Sequence, residues 1–178
     1  MLIREERPQD HHAVARIHRQ AFGDQGDVIV RLVDDLRASL ANEPGLALVA
    51  ENDGHVTGQV MFTRNLLDAP QQLVDVQVLS PLGVLPERHS TGIGGELIRH
   101  GLEILAQRDV PLVFLEGSPH YYSRFGFEPG GQYGFRRPSL RIPEPAFQVH
   151  LLPAYEPWMT GTLVYRREFW DHDCVGLR

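Results

Sequence analysis

Two stretches of the chain carry residue types whose spacing has chemical meaning. The first runs Pro81-Leu82-Gly83-Val84-Leu85-Pro86-Glu87-Arg88-His89-Ser90-Thr91-Gly92-Ile93-Gly94-Gly95. Pro81 cannot donate a ladder hydrogen bond, and Gly83 packs poorly in a strand. Together they predict a bulge or splay late in a strand, which would leave backbone groups near Leu82 and Val84 open to a ligand. Ser90, Thr91, Gly92, Gly94 and Gly95 then put small residues at a helix N-terminus, where several N–H groups and the helix dipole can meet one anion. The chemistry expected is a diphosphate cradle built without lysine. The plainer alternative is a strand-to-helix turn that uses glycine for its backbone freedom. The second stretch, Glu116-Gly117-Ser118-Pro119-His120-Tyr121-Tyr122-Ser123-Arg124-Phe125-Gly126-Phe127, sets an acid, a histidine and two phenols just after an apolar run.

The elements that must position these residues follow from periodicity. Leu2 to Glu5 reads as a short strand. Pro8 and Asp10 mark a helix start, with Val14, Ile17, Ala21 and Phe22 at helical spacing. A second helix covers Asp27 to Ser39, with Ile29, Leu32, Val33 and Leu36 on one face. Leu46 to Glu51, the turn Asn52-Asp53-Gly54 and His55 to Arg64 read as a hairpin. Leu66 to Gln72 reads as a polar connection and Leu73 to Val84 as a strand. A long helix spans about Gly92 to Arg108. Val110 to Glu116 has the apolar pattern of a strand buried on both faces, and a short helix from Pro119 to Arg124 follows it. Phe147–Leu152 and Thr160–Arg166 are candidate strands in a Pro-, Gly- and Arg-rich remainder. This order gives an α/β domain with one parallel strand–helix–strand crossover.

Composition narrows the classes further. At 178 residues, 42% hydrophobic and 22% charged, the chain supports one compact domain rather than a disordered one. The apolar runs are too short to span a bilayer. Met1-Leu2-Ile3 leads straight into Arg4-Glu5-Glu6-Arg7, so no signal-peptide core is expected. Cys174 is the only cysteine, which excludes an intramolecular disulfide and makes the cytoplasm the expected compartment. A net charge of −6 disfavours nucleic acid as partner and favours cationic ligands. All 17 basic residues are arginine, which excludes a lysine Schiff base and a P-loop lysine. The dinucleotide fingerprint also fits poorly, because the Gly-rich loop comes mid-chain after an antiparallel hairpin.

The pair of motifs resembles the GNAT N-acetyltransferase superfamily, and the run Gly117-x-Pro-x-Tyr-Tyr-x-Arg-Phe-Gly-Phe resembles its YhbS-like bacterial subgroup. The likeness covers about residues 1 to 152 as an N-acetyltransferase domain, with 153 to 178 as a tail. It implies a mixed, mostly antiparallel α/β (α+β) sheet, splayed between two parallel strands and flanked by helices. It implies acetyl-CoA as acetyl donor, held by Leu82, Gly83, Val84, His89, Ser90, Thr91, Gly92, Ile93, Gly94 and Gly95, with the pantetheine arm entering a gap between Leu82–Val84 and Val113–Glu116. His89 stands where the family usually has Arg or Gln. The N–H of Val84, or one neighbouring it, is expected to stabilise the oxyanion. Tyr122 is the expected general acid, with Tyr121 its rival, and Glu116 the expected base, with His120 the second choice.

His11, His12 and His18 are expected on solvated helix surface, with no metal site completed. Arg136-Arg137 and Arg166-Arg167 are expected at the surface, or against an acidic ligand or the CoA 3′-phosphate. Trp158, Phe169 and Trp170 give the tail a packing role, a pocket role or a homodimer contact, and Cys174 is expected to be an inert thiol. The implied activity is acetyl transfer to a small-molecule or peptide amine, without nucleic acid or membrane as partner. The competing classes are a non-catalytic acyl-CoA sensor or interaction module, and a nucleotide-binding module. Calorimetry against CoA, ATP and NAD separates them: CoA binding is expected, and binding of ATP or NAD without CoA would reject both CoA-based readings.

Overall fold

A computed structural model describes residues 1 to 176. Internal contacts divide the chain into two units. The first takes Met1–Thr63 and Leu79–Gly101, the second Arg64–Val78 and the chain from Leu102 on.

The first unit opens with β1 (Leu2–Glu5), a 3-10 turn at Pro8–Asp10, α1 (His11–Phe22) and α2 (Gly26–Ser39). Asp10 organises this entry. Its carboxylate accepts from the two terminal guanidinium nitrogens of Arg4 at 2.7 and 2.9 Å and from the Arg7 N–H at 2.8 Å. α1 buries Val14 and Ile17 as the spacing predicts, and also His18. α2 buries Val30, Leu32, Val33 and Leu36. Val30 thus replaces the expected Ile29, which is only half-buried. The reason lies one turn earlier. A Cβ on Gly26 would sit 2.6 Å from the Arg19 Cα, so Gly26 lets α2 meet α1 almost backbone to backbone. That approach turns the Gly26–Val30–Val33 stripe inward.

β2 (Gly45–Asn52) and β3 (His55–Asp68) form the predicted hairpin. Asp53 and Gly54 both have positive φ, 51° and 77°, as a two-residue turn matching strand twist requires. β2 also pairs antiparallel with β1, from Leu2↔Glu51 to Glu5↔Leu48. β4 (Leu73–Val84) and α3 (Ile93–Gln107) contribute to both units.

The second unit is built around β5 (Leu112–Glu116), whose Leu112 to Leu115 are fully buried. β5 lies parallel to β4 and antiparallel to β8 (Phe147–Leu151). Between β5 and β8 come α4 (Pro119–Tyr122), β6 (Glu128–Pro129) and β7 (Phe135–Arg136). β9 (Gly161–Val164) and α5 (Arg167–Asp171) follow. β6, β7 and α5 escaped the sequence reading because strands of two residues and a five-residue helix carry no period. β3 corrects the expected connection at Leu66: Leu66, Leu67 and Asp68 stay in the strand, pairing with Val164, Leu163 and Thr162 of β9. That partner lies about a hundred residues downstream, beyond the reach of any local pattern.

Hydrogen bonding orders the strands β1-β2-β3-β4-β5-β8-β6, with β9 joining β3 to β7. The sheet is mostly antiparallel with a parallel β4–β5 pair, and helices flank it. Two residues of the expected tail, Leu177 and Arg178, lie outside the described residues.

The double hydrogen bond from Arg4 holds the Asp10 carboxyl below its ordinary value of 3.8. Its stabilisation is therefore present above pH 3.8 and is lost as pH falls through the lowered value. Asp10→Asn is expected to lower stability by about 3 kcal/mol at neutral pH. In urea denaturation, the gap to the parent should close below pH 3.8.

Candidate active site

The Gly-rich segment is assembled within the first unit. The Leu85 N–H donates to the Thr57 carbonyl of β3 at 2.9 Å. Successive residues of a strand direct their hydrogen-bonding groups to opposite sides. Gly83 therefore shares the β3 side with Leu85, while Leu82 and Val84 direct their N–H and C=O groups away from β3. Among the described residues, the β4–β5 ladder consists of Gln77↔Val113 and Val78↔Phe114, so it ends before Leu82. The Val84 carbonyl is met instead by the Nε2–H of His89 at 3.0 Å.

After a 3-10 turn at Pro86–Arg88, the chain takes positive φ at Ser90 (62°) and Gly92 (89°) before α3 begins. The first helical bond runs from the Glu96 N–H to the Gly92 carbonyl at 3.0 Å. Among the described residues, no N–H from Ser90 to Gly95 donates to a protein acceptor. The Thr91 hydroxyl donates to the Arg88 carbonyl at 2.7 Å and braces the loop from within. Ile93 and Leu97 seat the helix start on β3 at Gly58, where a Cβ would lie 2.8 Å from Ile93 Cγ2. A braced loop, a run of unpaired donors and the positive end of a 15-residue helix are features that favour an anion.

The second constellation lies within the other unit. β5 ends at Glu116, and Gly117 follows with its N–H on the Ala146 carbonyl (3.0 Å) and its carbonyl accepting from Gln148 (3.0 Å). A Cβ on Gly117 would lie 2.3 Å from Tyr122 Cε2, so the absent side chain makes room for that ring. Tyr122 meets Tyr121 and Phe127 edge-on, at centroid distances of 4.9 and 5.9 Å. Gly126, at φ 78°, reverses the chain so that the buried Phe127 returns under Tyr122. This explains the Tyr-x-x-x-Gly-Phe spacing physically.

The Tyr122 hydroxyl has no hydrogen-bond partner among the described residues. Burial, and secondarily Tyr121, raises its pKa above the ordinary phenol value. Tyr121 differs in carrying the Arg124 guanidinium 4.6 Å over its ring.

Glu116 sits in different company from that expected of a free base. Its Oε1 accepts from the Tyr165 hydroxyl at 2.9 Å and its Oε2 from the Gly176 N–H at 2.9 Å. Burial raises its pKa; those two bonds and Arg141 partly oppose the rise. His120 is exposed. Tyr165 and Gly176 were not visible from sequence as partners of Glu116, since nothing local links positions so far apart.

His18 corrects the sequence reading outright. It is fully buried rather than solvated, with Nε2 2.8 Å from Gln59 Oε1. It lies beside Ile17 and four residues after Val14, on the apolar stripe, and a buried glutamine of β3 accepts it there. The arginine pairs are engaged within the protein: Arg136 with Thr162, Arg137 with Glu144, Arg166 with Glu168 and Arg167 with Asp171. Phe169 is buried, Trp158 donates to Glu156, and Trp170 lies under Arg141 at 5.3 Å. Cys174 is half-buried, its Sγ 3.5 Å from the His172 carbonyl.

Comparison with known proteins agrees with this geometry. Residues 2–130 match the acetyltransferase (GNAT) domain family. The chain is 35% identical over 176 residues to the uncharacterized N-acetyltransferase YhbS of Escherichia coli K12, covering 95% of this chain and 98% of that one. It is 35% identical over 138 residues to the uncharacterized N-acetyltransferase YjhQ of the same strain, covering 76% and 74%. Among solved structures, E. coli YhbS in complex with CoA superposes with a TM-score of 0.83 at 32% identity, covering 94% of this chain and 91% of that one. A GNAT acetyltransferase from Brucella melitensis in complex with acetyl-CoA gives 0.73 at 33% identity, covering 94% and 97%. A splayed strand edge, a glycine-led helix start and a Tyr-x-x-x-Gly-Phe turn thus coincide with family likeness across the length of the chain, which belongs to the GNAT acetyltransferases.

Proposed function

We propose that this N-acetyltransferase holds acetyl-CoA along Leu82, Gly83 and Val84 and on His89, Ser90, Thr91, Gly92, Ile93, Gly94 and Gly95, and transfers the acetyl group directly to a primary amine. The observation that carries this reading is the run of N–H groups from Ser90 to Gly95 without protein acceptors. A helix start leaves its first N–H groups without intrahelical partners; here they follow the exposed Ser90, Thr91 and Gly92 and run into the buried Ile93, Gly94 and Gly95, a row of donors that suits a ligand with many acceptor oxygens, as a diphosphate has. Two relatives solved with CoA or acetyl-CoA support the choice of that ligand.

Acetyl-CoA supplies the acetyl group activated as a thioester, open to attack by a neutral amine. The N–H of Val84, directed away from β3, is the proposed donor to the carbonyl oxygen as negative charge gathers there. Tyr122 is the proposed acid. With its pKa raised, the phenol stays protonated throughout the working range, so its O–H is always available to the departing sulfur. A thiol of pKa about 8.5 holds its proton less tightly than such a phenol. Tyr122 therefore acts first by hydrogen bonding to the thiolate, and the proton is finally balanced through solvent.

For Glu116, the geometry favours anchoring over proton abstraction, because both oxygens are occupied by Tyr165 and Gly176. The amine then loses its proton to water. The acceptor is proposed to be a cationic small molecule or peptide amine, a choice supported by the charge of −6. No helix among the described residues is long and apolar enough to cross a membrane. The cytoplasm is the proposed compartment, supported by the single cysteine.

Thiol release from acetyl-CoA across an amine library tests the activity. Tyr122→Phe is expected to lower kcat by about 100-fold or more with KM for acetyl-CoA held within about twofold. Retention of the parental kcat across the pH range would remove Tyr122 from the mechanism. Gly92→Val is expected to do the opposite, raising KM for acetyl-CoA by about tenfold while kcat at saturation is largely kept, because a β-branched residue resists the φ of 89°. Glu116→Gln is expected to lower Tm and leave the acidic limb of the pH–rate profile in place; loss of that limb would restore Glu116 as the base.

A further inference from the structure

We infer that His18 is a positioning residue for the cofactor edge: its ring, held by a chain from Gln59 through Glu6 to Arg37, presses on Gly83 and fixes the course of Leu82 and Val84. The inference rests on the proposed acetyl-CoA site, and the residues that make its contacts, Glu6, His18, Arg37, Gln59 and Gly83, lie within the first unit.

The chain of bonds determines its own proton positions. The Glu6 carboxylate accepts from Arg37 Nε at 2.6 Å and from Gln59 Nε2 at 2.9 Å. An ionised carboxylate only accepts, so the Gln59 amide must turn its NH2 to Glu6 and its oxygen to His18. That oxygen needs a donor, so the His18 proton sits on Nε2. Burial keeps the ring neutral by pulling its pKa down to about 4. Nδ1 is then a bare lone pair, sealed from solvent and without a partner.

That unpaired nitrogen faces the cofactor strand. It lies 2.8 Å from where a Cβ on Gly83 would stand, with His18 Cε1 at 2.9 Å and Ile17 Cγ2 at 3.2 Å. A side chain at position 83 would require the His18 ring, or α1 with it, to shift. Beyond Val78, β4 has lost its β5 neighbour, so its outer edge is not braced by a ladder. The contact from α1 supplies a brace from the face of the sheet. An aliphatic residue would fill the same space without orphaning a polar atom. The histidine adds an anchor on Gln59, Glu6 and Arg37, which ties α1, β3 and α2 to one point on β4 and gives the ring a fixed height.

The test is a double-mutant cycle read by calorimetry with CoA and by KM and kcat for acetyl-CoA, with Tm and circular dichroism as folding controls. In the otherwise native chain, Gly83→Ala is expected to raise both the Kd for CoA and the KM about tenfold, since the methyl meets the ring. In a His18→Ala background the same change is expected to cost less than twofold, because the ring is gone. His18→Gln keeps a donor for Gln59 but not the ring. It is expected to raise KM several-fold with kcat within twofold, a split that general loss of stability does not produce. Equal costs of Gly83→Ala in both backgrounds, or an unchanged KM in His18→Gln, would overturn the inference while leaving the acetyl-CoA reading standing. If Gly83→Ala fails to fold, His18→Gln decides alone. A parent protein that does not bind CoA overturns both.

Discussion

A strand must satisfy its backbone groups on both sides, and β4 does so on one side only once it passes Val78. The rest of the structure is organised around that exception. On the paired side, Leu85 keeps β4 on β3. On the open side, Leu82 and Val84 present donors and acceptors, and His89 covers the Val84 carbonyl. A few residues on, the same shortage recurs at the start of α3, where the N–H groups from Ser90 to Gly95 have no protein acceptor. Unpaired backbone groups are costly in a folded protein. Here they fall at two nearby places, the open edge of β4 and the start of α3, and the proposed ligand, with its amides and linked phosphates, is one that could pair with both.

Glycines make this possible by what they leave out. Gly58 admits Ile93 and so brings the helix start down onto the sheet. Gly83 admits His18 from α1, and Gly117 admits the ring of Tyr122. Gly92 serves a separate need, a backbone conformation that side chains disfavour. The polar interior of the first unit follows from the same crowding. A charged group at 4% side-chain exposure, Glu6, is tolerable because Arg37 and Gln59 satisfy it.

The C-terminal segment contributes through Glu116. A half-buried carboxylate at the end of β5 takes hydrogen bonds from Tyr165 and Gly176, and Arg141 reaches Asp173 while lying over Trp170. Of this segment, Phe169 and Val175 are buried in the second unit, whereas Trp170 stays exposed. The end of β5 is thus tied to Tyr165 and Gly176 through one side chain.

Much of the local geometry of the candidate site was legible along the chain because its logic is local. β4 runs on through Pro81 and Gly83 but without a β5 ladder there, Gly92 and Gly94 lie at a helix start, and Gly126-Phe127 closes a turn under Tyr122, all within short spans where backbone sterics dictate the outcome. The hairpin at Asp53-Gly54 and the strand at Leu112–Glu116 were readable for the same reason. Tertiary structure alone decided the rest, since it depends on partners distant in sequence. The end of β3 is a strand because β9 pairs with it. Glu116 is occupied rather than free because residues 165 and 176 return to it. His18 is buried rather than solvated because Gln59 of β3 offers an acceptor where α1 crosses Gly83. Local rules set which backbone groups lack a partner; only the assembled chain determines which side chains arrive to supply one.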